Sequence, residues 1–195
     1  TYKKCSIKEY MYTIKQPSEI IFGENSLKNY EFPEKCLLIS SKGAKKRGWL
    51  ELDSLKKFYI FDDVESNPSI QTTETIIKDF NNSDFSHIIG LGGGSVMDVA
   101  KFVGFKMEKK KITIPTIFGS GSEVTRISVL KVNNKKQSFH DDKIFTNVAI
   151  LDPIFMQNTP KKIINNAIID ACAQSTDAFD SKNSHIYTKF LCQKG

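Results

Sequence analysis

Short apolar runs recur along this chain, each rich in residues that favour strands, and the stretches between them carry helical spacing. The clearest runs are KCLLIS around 36–40, KFYIFDD around 58–62, SHIIGLG around 87–91 and KITIPT around 112–116. Between the second and third, residues 69–81 place Ile70, Thr73, Ile76, Ile77 and Phe80 on one helical face, so this segment is expected to be the crossover helix of a βαβ unit. A further run, NVAILDP, ends on Asp152 and Pro153. Beyond it, TPKKIINNAIIDACAQSTDAF reads as a helix with Thr159 as N-cap and Pro160 at the first helical position. Nothing after Pro160 has the pattern of a strand. The expected architecture is therefore α/β, a Rossmann-like, mostly parallel sheet over residues 1–158, followed from 159 to 195 by the beginning of an all-helical domain. No internal repeat or low-complexity linker interrupts it.

Composition narrows the class. At 195 residues, 39% hydrophobic and 26% charged, the chain can bury one substantial core and begin another. No apolar run approaches the roughly 18 to 20 residues that span a bilayer, and the opening TYKKCSIKEYMYTIKQ lacks the features of a secretory signal, so no membrane association and a cytoplasmic location are expected. Cys5, Cys36, Cys172 and Cys192 are scattered without a CxxC pair, which points to reduced thiols. The net charge of +6 raises the question of nucleic acid. Its lysines, however, lie in small groups interleaved with acids, and no nucleic-acid module is present. A solvated basic surface with no nucleic-acid partner is expected.

Two glycine-rich turns carry the candidate chemistry. In GLGGGSVMDVAK (90–101), three glycines follow a buried strand and open a helix, letting backbone N–H groups and the helix dipole approach an anion. A ligand-free tight turn would also use glycines, and the motif is neither GxGxxG nor a Walker A loop. In IPTIFGSGSEVT (114–125), Thr116, Ser120, Ser122 and Thr125 offer hydroxyls that can bind a ribose, a pyrophosphate or a carboxamide, or simply cap turns. Side by side at the carboxyl edge of a parallel sheet, the two turns favour a dinucleotide over an isolated phosphate.

GGGSVMDVAK, PTIFGSGSEVT, VAILDP and the helix with DACAQSTDAF, in that order, resemble the iron-containing (group III) alcohol dehydrogenase family, with its dehydroquinate synthase-like fold. PSEIIFGENSL and VESNPSIQ add to the likeness, which runs to about residue 184. The resemblance implies NAD or NADP held between two domains. It implies Gly93, Gly94 and Ser95 at the pyrophosphate, Asp98, Thr116 and Ser120 toward the nicotinamide, Lys136 reaching back to the cofactor, and Asn67 with Pro68 bordering the adenine side. It also implies a small alcohol or aldehyde substrate and a homo-oligomer, a dimer. Where the family has an acidic residue for the adenosine ribose, this chain has Ser41, with Lys42, Lys45, Lys46 and Arg47 nearby, which favours NADP(H).

The family's DAxxHAxE motif supplies two ligands to a divalent iron or zinc. Here Asp170 is kept, Gln174 stands for the histidine and Asp177 for the glutamate. Glutamine is a weaker donor than imidazole to a transition metal, and none of His87, His140 and His185 fits a missing position. The glutamine is similar to that of relatives reducing phosphonoacetaldehyde. The helical domain is expected to be incomplete. The function expected is hydride transfer between NAD(P)H and an aldehyde, with metal assistance in the complete enzyme. The alternatives are a non-catalytic or truncated nucleotide-binding module and, ranked last, a dehydroquinate-synthase-type lyase.

Overall fold

A computed structural model describes residues 13–157 and 159–194. In chain order its main elements are β1 (Glu19–Phe22), α1 (Ser26–Asn29), β2 (Cys36–Ile39), α2 (Lys42–Lys46), β3 (Tyr59–Phe61), α3 (Ile70–Phe80), β4 (His87–Gly92) and α4 (Gly94–Lys106). These are followed by β5 (Lys110–Pro115), β6 (Ile127–Val132), β7 (Lys135–His140), β8 (Val148–Leu151), α5 (Lys161–Asp180) and α6 (Ile186–Lys194). Six strands form one parallel sheet in the order β1-β8-β5-β4-β2-β3. The expected mostly parallel α/β sheet is what the chain builds.

The central strands read as unbroken apolar runs because both faces of the sheet are covered. Cys36 and Leu38 of β2 face one cluster, with Ala44, Leu50, Leu55 and Phe155. Leu37 and Ile39 face the other, with Val96, Met97, Val99 and Val103 of α4. Helix α4 is buried along most of its length, since it lies between the sheet and the β6–β7 hairpin. Gly90 permits this closeness: a Cβ there would stand 2.7 Å from the Ala100 Cβ. Helix α3 matches the expected crossover, and the Ser69 hydroxyl caps it by accepting from Thr72 N at 3.3 Å. Asp152 of the DP pair is buried, and its carboxylate accepts from Leu27 N and Ile154 N, both at 3.1 Å, binding α1 to the end of β8.

Three features depart from the pattern expected of the sequence. The antiparallel β6–β7 hairpin was not anticipated, although ISVLKV alternates and turns on Asn133 and Asn134, both in left-handed conformation (φ 48° and 62°). Its second strand, KKQSFH, is mostly exposed and carries little apolar signal. The edge strand β1, EIIF, is also absent from the expected pattern: it is apolar but only four residues long, and at the edge of the sheet its side chains are mostly exposed. Finally, α5 starts at Lys161, with Pro160 rather than Thr159 in the cap position. The Pro160 carbonyl accepts from Ile163 N and Ile164 N, while the Thr159 hydroxyl turns back to the Phe155 carbonyl at 3.5 Å. The expected domain boundary at Asn158 and the thiol of Cys5 lie outside the described residues. Past β8, the described chain is helical, and α5 meets the loop after β5 where Ala167 approaches Gly119.

Candidate functional site

From β2 the chain steps outward to β3, returns over β2 through α3 to β4, and continues through α4 to β5. The connections leaving β2 and β4 therefore part in opposite directions, opening a crevice at the carboxyl ends of these strands. A cleft of about 680 Å³ lies there, with Ser41, Gly92, Gly93 and Thr116 in its lining. Both glycine-rich turns contribute to it, and they are joined: Thr116 N donates to Gly92 O at 2.9 Å. Gly93 is the N-cap of α4, and its carbonyl accepts from Val96 N and Met97 N. The N–H groups of Gly94 and Ser95, ahead of these bonds, have no acceptor within the helix and suit an anion. Ser120 stands over this turn, its Oγ 3.5 Å from where a Gly94 Cβ would be.

The second turn is held by a buried cation. Lys101, fully buried, donates from Nζ to Ser122 O at 2.6 Å and to Ile127 O, with longer contacts to Thr125 O and Oγ1. Its ammonium lies 3.6 Å from Asp98 Oδ1, and that oxygen accepts from Ser122 Oγ at 2.7 Å. Burial pushes the Lys101 pKa down to about 8 against the attraction of Asp98 and Glu123. It raises the carboxyl pKa values of Asp98 and Glu123. Asp98 thus braces α4 against the loop while one side borders a second depression.

That depression, about 150 Å³, brings together Asn67, Ser95, Asp98 and Lys136, with Pro68 and Lys131. Asn67, which the resemblance sets on the adenine side, shares this recess with Asp98 and Lys136. The reason is local. Its loop, with Asn67 left-handed at φ 53°, is fastened to the hairpin by Lys131 N donating to Pro68 O at 2.8 Å. Ser66 of the same loop lines the larger cleft instead.

Around Ser41 the structure sorts the cations. Lys42 pairs with Asp63 at 2.7 Å and Lys45 with Asp62 at 2.6 Å. Arg47 lines the cleft; its guanidinium lies 5.1 Å from the Trp49 ring centroid and donates to Gly43 O at 2.9 Å. The apolar walls formed by Trp49, Ile117, Phe155 and Ile163 were not identified from sequence. They come from four separate segments, and no local motif marks them.

Asp170 and Gln174 sit one turn apart on α5, both exposed. Among the described residues, no group of three or more His, Cys, Asp or Glu side chains could hold a metal ion. The donors present therefore do not make a transition-metal site.

An open α/β sheet with a ligand crevice at its switch point defines the class of domain. The chain belongs to the iron-containing alcohol dehydrogenase family, whose model matches residues 17–153. It is 33% identical to 4-hydroxybutyrate dehydrogenase of Clostridium kluyveri, over 65% of this chain and 39% of that protein. It is 32% identical to long-chain-alcohol dehydrogenase 1 of Geobacillus thermodenitrificans, over 65% of this chain and 37% of the relative. Among solved structures, the iron-containing alcohol dehydrogenase of Thermotoga maritima superposes with a TM-score of 0.85 at 27% identity, covering 94% of this chain and 59% of that one. The chain thus spans about two fifths of the length of these curated relatives. No helix among the described residues is long and apolar enough to cross a membrane.

Proposed function

We propose that this chain forms the cofactor-binding part of an NAD(P)-dependent oxidoreductase that interconverts an alcohol and an aldehyde. The observation that carries the reading is the joining of the two glycine-rich turns at the switch-point cleft. There a dinucleotide pyrophosphate meets the free N–H groups of Gly94 and Ser95, and its two ends extend toward Ser41 and toward Asp98. Thr116 and Ser120 supply neutral hydrogen bonds between them. Asn67 and Lys136 belong with Asp98 at the second end, since the three share a recess. The cofactor supplies or accepts the hydride, and the residues of this chain bind and orient it. The described residues do not complete a metal site.

NADP(H) is the preferred cofactor in this reading. Ser41 carries no charge to repel a 2′-phosphate, and Arg47 is the nearby cleft-lining cation not engaged by a carboxylate among the described residues. The alternative, a nucleotide-binding module without catalysis, is favoured by the glutamine at position 174.

Titration of the chain with NADPH and NADH, followed by nucleotide fluorescence, tests the reading. Binding is expected, and Gly93→Val should weaken it roughly tenfold or more, because valine fits the backbone there (φ −83°) but puts a side chain into the cleft. Absence of binding to either nucleotide by the folded chain would overturn the assignment.

A further inference from the structure

At the opposite, amino-terminal edge of the sheet, a cavity of about 720 Å³ lies by the starts of β5 and β8. Five lysines line it against two acidic residues. One of the two, Asp142, is already held by Lys15 and Arg126. The cavity is remote from both glycine-rich turns, which leave the carboxyl ends of the strands.

Lys111 is the unusual member. It is the second residue of β5 and only 7% exposed, a degree of burial that lysine seldom shows without a partner. Its stem crosses α4 at Gly104, where a Cβ would lie 2.4 Å from Lys111 Cγ and 2.7 Å from Cδ. A glycine at this point of the helix is what gives the stem its path. The ammonium makes one long contact, to Lys109 O at 3.4 Å, and no carboxylate among the described residues pairs with it. Burial lowers its pKa, and no acidic neighbour offsets this. Beside it, Asn147 accepts from Lys111 N at 2.8 Å through Oδ1, while its NH2 group makes no hydrogen bond among the described residues. The buried Lys111 has no carboxylate to pair with among the described residues, and the half-buried Asn147 on the same cavity wall keeps a spare amide donor. An anion with several acceptor oxygens satisfies both, and Lys143 adds charge at the rim.

We propose that this cavity is an anion site, separate from the nucleotide cleft, where Lys111 and Asn147 hold the phosphate group of inorganic phosphate or of a small phosphorylated molecule. The ammonium and the Asn147 NH2 donate to the phosphate oxygens, and no covalent step is involved. Because the site lies at the other edge of the sheet, its occupancy does not depend on the cofactor assignment.

The test is a titration of the isotope-labelled chain with inorganic phosphate, followed by amide NMR, with chloride at matched ionic strength as control. Saturable shifts at the amides of Lys111 and Asn147 are expected with phosphate and not with chloride. Lys111→Gln should weaken phosphate binding roughly tenfold or more, the scale of a hydrogen bond to a charged group. Asn147→Asp keeps the acceptor for Lys111 N and replaces the donor with a negative charge, so it should abolish the shifts, and it decides the matter should Lys111→Gln fail to fold. Glucose 6-phosphate used in a second titration distinguishes a phosphorylated molecule from free phosphate: the tighter binder identifies the source. Shifts that do not saturate, that chloride reproduces, or that survive both substitutions would overturn the proposal.

Discussion

Replacing Lys101 by methionine removes the ammonium while keeping an unbranched stem. Nζ donates closely to two buried carbonyls, Ser122 O and Ile127 O. Leaving each without a donor costs about 1–3 kcal/mol, hence about 2–6 kcal/mol together. Against this, moving the ammonium's pKa from 10.5 to about 8 corresponds to about 3 kcal/mol of unfavourable burial, which methionine does not carry. The two effects nearly balance, and the net destabilisation near neutral pH should not exceed about 3 kcal/mol. The pH dependence is more telling. Because the folded pKa lies below the unfolded one, between about 8 and 10.5 the unfolded chain holds a proton that the folded chain has lost. Stability attributable to Lys101 must therefore rise with pH across that window, by up to about 3 kcal/mol, and stay flat below it. Urea unfolding of both proteins at a series of pH values gives the difference, in which other alkaline titrations shared by the two proteins cancel. The advantage of the wild-type chain over Lys101→Met should widen above about pH 8. A difference that stays flat or narrows would refute the claim that burial governs this ammonium.

Ser41→Asp should lower the NADPH-to-NADH affinity ratio. A carboxylate about 4 Å from the 2′-phosphate costs about 1–4 kcal/mol depending on local screening, roughly fivefold to several-hundredfold, and an unchanged ratio in competition titrations would place Ser41 away from the ribose. Because Ser41 precedes α2, aspartate at that N-cap should leave folding intact. Gly90→Ala should destabilise the fold by about 1–3 kcal/mol, since its Cβ meets Ala100 at 2.7 Å and strand and helix must separate; a neutral effect on the urea midpoint would show that α4 is free to shift. With added iron or zinc, NADPH and a panel of aldehydes including phosphonoacetaldehyde, the chain should show no metal-dependent turnover, and chelator-sensitive activity lost in Asp170→Ala would contradict that expectation.

The amino-acid sequence by itself determined the parallel sheet, the crossover helix at α3 and the two glycine-rich turns. These depend on local physics: apolar runs that must be covered on both faces, helical spacing, and glycines where backbone approaches closely. Through its resemblance to the family it also implied an uncharged Ser41 where an acidic residue is usual, and Gln174 beside Asp170 where a histidine is usual. Tertiary structure decided the partnerships. Lys42, Lys45 and Arg47 are equivalent cations in sequence, yet the return of β3 beside β2 supplies Asp62 and Asp63 to the two lysines and leaves Arg47 on the cleft. Asn67 is set with Asp98 because the hairpin fastens its loop, and the hairpin's polar second strand hardly announces itself. No local pattern sets Lys101 and Lys111 apart from the other lysines of this basic chain, but long-range packing buries both, one against loop carbonyls and one beside a cavity. Burial and charge pairing depend on which distant segments the strand order brings together, and that order is settled only when the whole sheet closes.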